Sequence, residues 1–574
     1  MPCIFLRPPD PAGSFEDTSG ALLSLERQGF RLEKIPANTH QIQLGVASSE
    51  AHAIRSLFWN HWRIVSVGPI WAAHGTLERT LETVLEATAQ GRHERAAAAL
   101  RQLRGSFALV LIGTEQTWVY GDPIGGLQLF RDRQSGVIGS SFLSLLEQRE
   151  VRHFDDTAVL QYLLAEAPHG GRTLIEGMEL LPPGHLIALH EKRQIDCWSA
   201  FWGESVGPIA SLDEAVERIA EHLCTDFKTA RCQGFDRASV ALSGGFDSRL
   251  VLGLARQSGI SSEVFVYGEA DSSDVRVAQA IGQAEGLHIT HVDKRQMNGR
   301  LPLATPVDAS MDFFDGYSAD GFLDRGADRL TRLNQAADGR VILNGGGGEI
   351  LRNFFHLGSG SLHPIQIVDA FYSQNPGGLL RFEHDRRNYR DSMATAIAQT
   401  HSSGDRALDR REIELLYPLF RCRWWMSRNS SIANRTGPFL TPLLSPEVIR
   451  LAASLNLSWK RAGALEAALM SRIDPALSRH PSSYGFSFSQ GPGASARLRE
   501  RLHEARPVWS RPIFAALGYQ LRQRNHRTTV VQTVQQPGWI QARWFSPGAD
   551  LSDGLQRRVL SLQALADRFG VSAV

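Results

Sequence analysis

Ser243-Gly244-Gly245-Phe246-Asp247-Ser248 gathers two hydroxyls, a carboxylate and two positions without side chains into six residues, a set suited to gripping a pyrophosphate group. The preceding Ala238-Ser239-Val240-Ala241-Leu242 is short and β-prone. Leu250, Val251, Leu254 and Ala255 then recur at helical spacing, so the hexapeptide is predicted to open a helix. The first N–H groups of a helix lack internal partners and carry partial positive charge, and glycines let phosphate oxygens approach that backbone. Leu242, Ser243, Gly244, Gly245, Asp247 and Ser248 are therefore expected to hold ATP. A Walker-type loop would end in Lys; here Arg249 follows Ser248 and the glycine spacing differs, which disfavours kinase-like chemistry. Neutralising a triphosphate then falls to Mg²⁺, with Asp247 as a ligand and catalytic residue.

A second glycine cluster has the same design. Val341-Ile342-Leu343-Asn344 runs into Gly345-Gly346-Gly347-Gly348-Glu349. A flexible linker is seldom bounded by an apolar strand on one side and a pair such as Phe354-Phe355 on the other. Gly346 and Gly347 are expected to line the nucleotide, and Glu349 to supply a second carboxylate for magnesium and for catalysis.

The elements that must position these loops divide the chain in two. At 574 residues it is too long for one core, and the expected domains are 1–207 and 208–574, joined where Trp198, Phe201 and Trp202 give way to Gly203-Glu204-Ser205-Val206-Gly207-Pro208. Residues 1–205 read as strands with a few helices, an α+β sandwich; 210–350 read as strand-helix repeats forming a parallel sheet; 365–480 read as mainly helical. Leu77 to Leu103 and Glu412 to Arg428 read as helical, with Trp424-Trp425 expected in the core. A formal charge of +1, from 61 basic and 60 acidic residues, gives no support to a nucleic-acid enzyme, although residues 491–574 carry about twelve Arg against about five acids. The five cysteines, at 3, 197, 224, 232 and 422, lack metal spacing and are expected as reduced cytoplasmic thiols. No apolar run is long enough to span a membrane, and Met1 to Gly20 lacks a secretion signal.

The hexapeptide resembles the Ser-Gly-Gly-x-Asp-Ser signature of PP-loop ATP pyrophosphatases, and within them the asparagine synthetase family, which adenylates a carboxylate and lets an amine displace AMP. The resemblance continues through Val264-Phe265-Val266-Tyr267-Gly268, Asp271-Ser272-Ser273-Asp274, Ala278, Ile281 and His288, and implies Tyr267 as an adenine neighbour. Gly345 and Gly348 depart from the synthetases, which place acidic residues there. Phe313-Phe314-Asp315-Gly316-Tyr317, Asp328-Arg329-Leu330-Thr331-Arg332, the glycine run with Arg352-Asn353-Phe354-Phe355, and Pro481-Ser482-Ser483-Tyr484-Gly485 are similar to the lasso peptide macrolactam cyclases. That branch activates an Asp or Glu side chain of a precursor peptide, and the peptide's own N-terminal amine closes the ring. The implied partners are the precursor peptide, a leader peptidase and a leader-binding protein, with no nucleic acid and no membrane.

Resemblance also implies the first domain. Leu103 to Val110, Gly121-Asp122-Pro123-Ile124-Gly125-Gly126 and Leu181-Pro182-Pro183-Gly184-His185 look like the αββα class II glutaminase (Ntn amidotransferase) fold. Its active members begin Met-Cys; this sequence begins Met1-Pro2-Cys3, leaving Cys3 with an amide in place of a free α-amine, so a structural remnant is expected. A ligase without its own ammonia source must take a nitrogen nucleophile that arrives with the substrate, which fits ring closure. Related synthetases use a late lysine. Of Lys34, Lys192, Lys228, Lys294 and Lys460, Lys460 lies in that part of the chain, a few residues before the aligned position near Glu466. Arg421, Arg423, Arg428 and Arg435 are alternative phosphate clamps. Two other readings remain: an amide ligase using ammonia or a small amine, and a non-catalytic scaffold of a peptide-maturation complex.

Overall fold

The computed structural model describes residues 2–7, 19–35, 41–46, 55–189, 193–300, 307–318, 321–322, 324, 326–373, 379–525 and 538–572; Met1 and Lys192 lie outside them. The chain is mixed α/β, with two six-stranded antiparallel sheets in its first 200 residues and one five-stranded parallel sheet after them.

Alternation along the strands explains how the first two sheets stack. Ile4 and Leu6 of Pro2–Arg7 meet Val65, Val67, Ala108 and Val110 of the other sheet in one buried cluster. The intervening Cys3 and Phe5 face the opposite way, against Ala21 and Leu25 of the helix Ser19–Arg27. On the far side, Ile64, Leu109 and Leu111 pack on Leu81, Val84 and Leu85 of Leu77–Ala89. Two sheets thus lie face to face between helices. The helical stretch expected from Leu77 to Leu103 is broken: Gly91 turns left-handed at φ +68°, and a second helix, His93–Leu100, follows.

Residues 204–211 run irregularly into the helix Leu212–Cys232, capped by Ser211, whose buried Ala215, Val216, Ile219, Leu223 and Phe227 recur at helical spacing. The parallel sheet follows in the order Ile289–Val292, Ser261–Tyr267, Arg237–Ala241, Val341–Leu343, Phe439–Leu440. Numbered along the chain, that is 3-2-1-4-5. The order reverses between strands one and four, the place where open α/β sheets form a crevice beyond their carboxyl ends.

The two halves share a core. Asp315, fully buried, accepts from Ser141 Oγ (2.6 Å) and the N–H groups of Phe142 and Leu143, and pairs with Arg435 (3.1 Å) and Arg428 (3.4 Å). Near the chain end, Asp553–Phe569 returns to the helix Asp156–Ala165, with Arg558 donating to the Leu163 carbonyl and Ser561 bonded to Tyr162. Glu412 to Arg428 is not one helix. Pro418 has no N–H to donate, the turn widens to a Cys422 N–H to Tyr417 O bond of 2.9 Å, and the helix Trp425–Ala433 starts afresh. Among the described residues no helix is long and apolar enough to cross a membrane.

Candidate active site

The turns after the first and fourth parallel strands are the two glycine clusters, so the topology brings them together across the switch point. Strand Arg237–Ala241 leads to the helix Phe246–Ser258, whose N-cap is Gly245 and whose first turn no side chain caps. The turn is fixed from within and without. Ser248 Oγ accepts from Ser243 N (3.0 Å), Ser243 Oγ accepts from Gly245 N (3.2 Å), and Asp274 Oδ1 accepts from Gly244 N (2.9 Å). The Gly244 carbonyl receives the Ser483 N–H at 2.9 Å. Arg249 does not reach outward: fully buried, it donates to the His480 and Pro481 carbonyls and ties the turn to that segment.

The second cluster meets the first at Asp247. A Cβ on Gly348 would lie 1.9 Å from Asp247 Oδ1, and one on Gly345 would lie 2.8 Å from the Asp247 carbonyl carbon. An acidic side chain at Gly345 or Gly348 has no room here; Asp247 occupies the space. Gly346 is likewise closed by Met426, and Gly347 adopts φ +101° against Leu444.

Asp247 and Glu349 stand with Glu466 around one cation, Arg352. Its guanidinium lies 3.5 Å from Glu349, 3.6 Å from Glu466 and 4.0 Å from Asp247, and donates to the Tyr484 hydroxyl at 3.2 Å. Glu349 also accepts from the Gly347 N–H (3.1 Å) and the Tyr417 hydroxyl. Asp247 Oδ1 and Glu466 Oε1 are buried without hydrogen-bond partners. Burial pushes the Asp247 carboxyl well above its ordinary range, opposed by Arg352 and reinforced by Glu466 and Glu349. The same burial raises Glu466 to about 7. Burial would depress the Arg352 guanidinium, but the surrounding carboxylates more than offset it.

A cavity of about 680 Å³ opens beside this cluster. Ser243, Gly245, Asp247, Ser248, Gly346 and Glu349 line one side of it; Leu242, Gly244, Gly347 and Tyr267 are not among its lining residues. The Tyr267 hydroxyl meets Gln335, the Lys294 ammonium lies 4.7 Å from its ring centroid, and burial pushes the phenol up to about 12. Lys460 is also elsewhere: its Nζ donates to the Ile350 carbonyl and to Glu414, both at 2.8 Å, with 1% of the side chain exposed. The cation that stands among the three carboxylates is Arg352, three residues beyond Glu349, and helical spacing from Glu349 was the available signal. Arg423 donates to the Leu180 and Leu181 carbonyls, and Arg428 and Arg435 serve Asp315, so these three clamps hold the protein together. The tryptophan pair divides: Trp424 is buried, Trp425 is 44% exposed, and both line the cavity. Cys3 lies in mid-strand at 1% exposure, and Asp122 of the turn 121–126 accepts four backbone N–H groups, a structural anchor.

No family model matches the sequence, and no curated protein matches it. Among solved structures the chain is similar to glutamine phosphoribosylpyrophosphate amidotransferase from B. subtilis complexed with ADP and GMP, at 11% identity over 51% of this chain and 65% of that one, with a TM-score of 0.21. It is similar at 12% identity to an allosteric regulatory enzyme of purine biosynthesis, over 51% of this chain and 64% of that one, with a TM-score of 0.21. It is also similar at 12% identity to glutamine-dependent NAD⁺ synthetase from Acinetobacter baumannii in complex with ADP, over 50% of this chain and 75% of that one, with a TM-score of 0.20. The chain thus spans just under two thirds of the first two proteins. A likeness this distant says nothing of what the present chain binds.

Proposed function

We propose that this chain is an ATP- and Mg²⁺-dependent, AMP-forming ligase that closes a macrolactam ring in a peptide, as the lasso peptide cyclases it resembles do. The observation that carries the reading is the meeting of two bare glycine turns over Asp247 at the sheet's switch point. The uncapped first turn of Phe246–Ser258 offers backbone N–H groups to phosphate oxygens, with the Ser243 and Ser248 hydroxyls beside them.

The donor set fits magnesium. Asp247 has a buried oxygen without a partner and Glu349 faces the same cavity. Among the described residues no three His, Cys, Asp or Glu side chains gather to hold a metal alone, and Mg²⁺ commonly takes one or two carboxylates, with phosphate and water completing its shell. When bound, the ion would neutralise charge on the leaving pyrophosphate. Arg352 opposes the rise that burial imposes on the Asp247 carboxyl and adds positive charge where the phosphate leaves.

In the first step an Asp or Glu carboxylate oxygen of the peptide attacks the α-phosphorus, and the bond to pyrophosphate breaks. In the second the peptide's N-terminal amine attacks the acyl carbon, the bond to AMP breaks, and the amine gives up one proton. Holding both groups in one cavity replaces the concentration that free ammonia would need. A volume of about 680 Å³ is within the range of small-molecule and cofactor sites. On this reading residues 208–574 carry the chemistry, residues 1–207 are a glutaminase-like remnant, and a leader peptidase with a leader-binding protein delivers the precursor in the cytoplasm.

The test is pyrophosphate release with ATP, Mg²⁺ and a peptide bearing an acidic side chain. A free N-terminus should give a product lighter by one water, and N-acetylation should stop closure. Asp247→Ala should abolish release; retained turnover in that variant breaks the assignment. Release with aspartate and ammonia alone would identify an amide ligase.

A further inference from the structure

The cavity wall also holds a cation without an ion pair among the described residues. Arg332, Arg428 and Arg558 line the cavity with Asp328, Asp315 and Glu166 as respective partners. Arg421 lines it too, and among the described residues it has no ion pair. Three aromatic rings hold it: Phe371 and Trp425 with centroids 5.4 Å from the guanidinium carbon, and Phe354 at 5.5 Å. Its Nε is buried without a hydrogen-bond partner. The Tyr372 hydroxyl is close enough to take one of its N–H groups, and ring faces attract a guanidinium but accept few of the rest, which leaves donors for an acceptor from the cavity.

His169, from the first half of the chain, lies beside it. The ring stacks on Phe420 at 4.5 Å, is 2% exposed and lines the same cavity. Its backbone N–H is fixed by Gln161 Oε1 at 2.8 Å. The Ala165 carbonyl is close to the ring, yet neither ring nitrogen completes a hydrogen bond in good geometry. Burial first, then Arg421 and Arg423, hold the imidazole down to about 3, so it is neutral and carries one N–H and one lone pair. Buried polar atoms left without partners are costly and call for an explanation. Two side chains from distant parts of the chain, each with an unpartnered buried nitrogen, line one cavity and are placed to share one acceptor.

We propose that Arg421 and His169 form a second oxyanion site, which takes a carboxylate of the acyl substrate distinct from the one that reacts. An oxyanion there could come from the nucleotide or from the substrate. The substrate is favoured because Arg352 already serves the Asp247 and Glu349 end of the cavity, while the frame around Arg421 is aromatic, with Trp425 open to the cavity. A planar carboxylate matches a guanidinium fork held flat by rings, and needs no metal. This assignment rests on the ligase reading for its substrate, though not for its anion. It gives the first half of the chain a present role: His169 is a positioning residue for the peptide.

The experiment uses the full chain and two probes. Glutarate, with glutaramide as its uncharged counterpart, is titrated by saturation-transfer NMR; Mg²⁺ with α,β-methylene-ATP is titrated by calorimetry. Glutarate should bind and glutaramide should not. Arg421→Met should weaken glutarate about tenfold or more, the loss of a charge-assisted hydrogen-bonded pair, and leave the nucleotide affinity within about twofold. Arg421→Lys should recover part of the loss, and His169→Ala should weaken glutarate by a smaller factor. No glutarate binding to the unaltered chain overturns the proposal, as does equal binding by Arg421→Met. Weakened nucleotide with unchanged glutarate would assign Arg421 to a phosphate. Failure of the nucleotide to bind the unaltered chain would instead sink the ligase reading and leave the glutarate result standing.

Discussion

Gly348→Ala isolates the contact on which the site depends. The backbone there is not left-handed, so alanine brings no φ penalty; its only effect is the added methyl, 1.9 Å from Asp247 Oδ1, 2.6 Å from Asp247 Cγ and 3.0 Å from Leu443 Cδ1. Real Cβ contacts stay above 3.0 Å, so the carboxylate must retreat by about 1 Å or more. Overpacking of this kind costs about 1–3 kcal/mol of stability. A displacement of about 1 Å at a reacting centre costs on the order of 100-fold in rate, and a displaced metal ligand about 10–100-fold in metal affinity. The assay is pyrophosphate release as a function of Mg²⁺, with thermal denaturation in parallel. The variant should remain folded, need about 10–100-fold more Mg²⁺ and turn over about 100-fold more slowly. Gly360→Ala, where nothing lies within 4 Å of the new methyl, should match the unaltered chain in both measurements. Unchanged Mg²⁺ dependence and rate in Gly348→Ala would refute the placement of Asp247 at the magnesium.

Other perturbations follow from the same geometry. Burial holds the Asp247 carboxyl well above its ordinary range and Mg²⁺ needs its ionised form, so Mg²⁺ affinity should climb as rising pH ionises Asp247. Glu466→Gln removes a charge that raises Asp247 and should move that limb of a Mg²⁺ titration to lower pH; Arg352→Met removes the charge that lowers it and should move the limb higher. Lys460→Met leaves Glu414 buried with Arg410 as its remaining cation, and should cost about 3 kcal/mol or more in a denaturant titration while nucleotide affinity stays near its original value. Cys3→Ala should cost about 1 kcal/mol as a small core truncation and leave pyrophosphate release unchanged; a severe loss of release would return Cys3 to the chemistry.

The local grammar of the chain made the two glycine turns legible. In both an apolar strand runs into a bare backbone, and in the first an amphipathic helix follows; each signal is short-range. The first 205 residues were legible as strands with a few helices; the facing of the two sheets rests on pairings between strands far apart in sequence. Side-chain direction across long separations was not. Lys460 and Arg352 are both cations near acidic residues in sequence, and what decides between them is that Glu414, 46 residues before Lys460, captures the ammonium. Tyr267 sits at the end of the expected strand, yet Gln335 and Lys294 claim its hydroxyl and ring. Asp274 and Ser483 position Gly244 from 30 residues and more than 200 residues away, with no spacing rule to announce them. His169 could not be found at all from spacing, since its meeting with Arg421 depends on how the two halves dock.

The central claim is that ATP sits across the switch point with its α-phosphate at the Ser243–Ser248 turn. The most direct measurement is a crystal structure of the full chain with Mg²⁺ and α,β-methylene-ATP. The predicted result is α-phosphate oxygens against the first turn of Phe246–Ser258, the metal on Asp247 and Glu349, and Arg352 beside them. Nucleotide bound elsewhere, with that turn left without a phosphate, would contradict the claim.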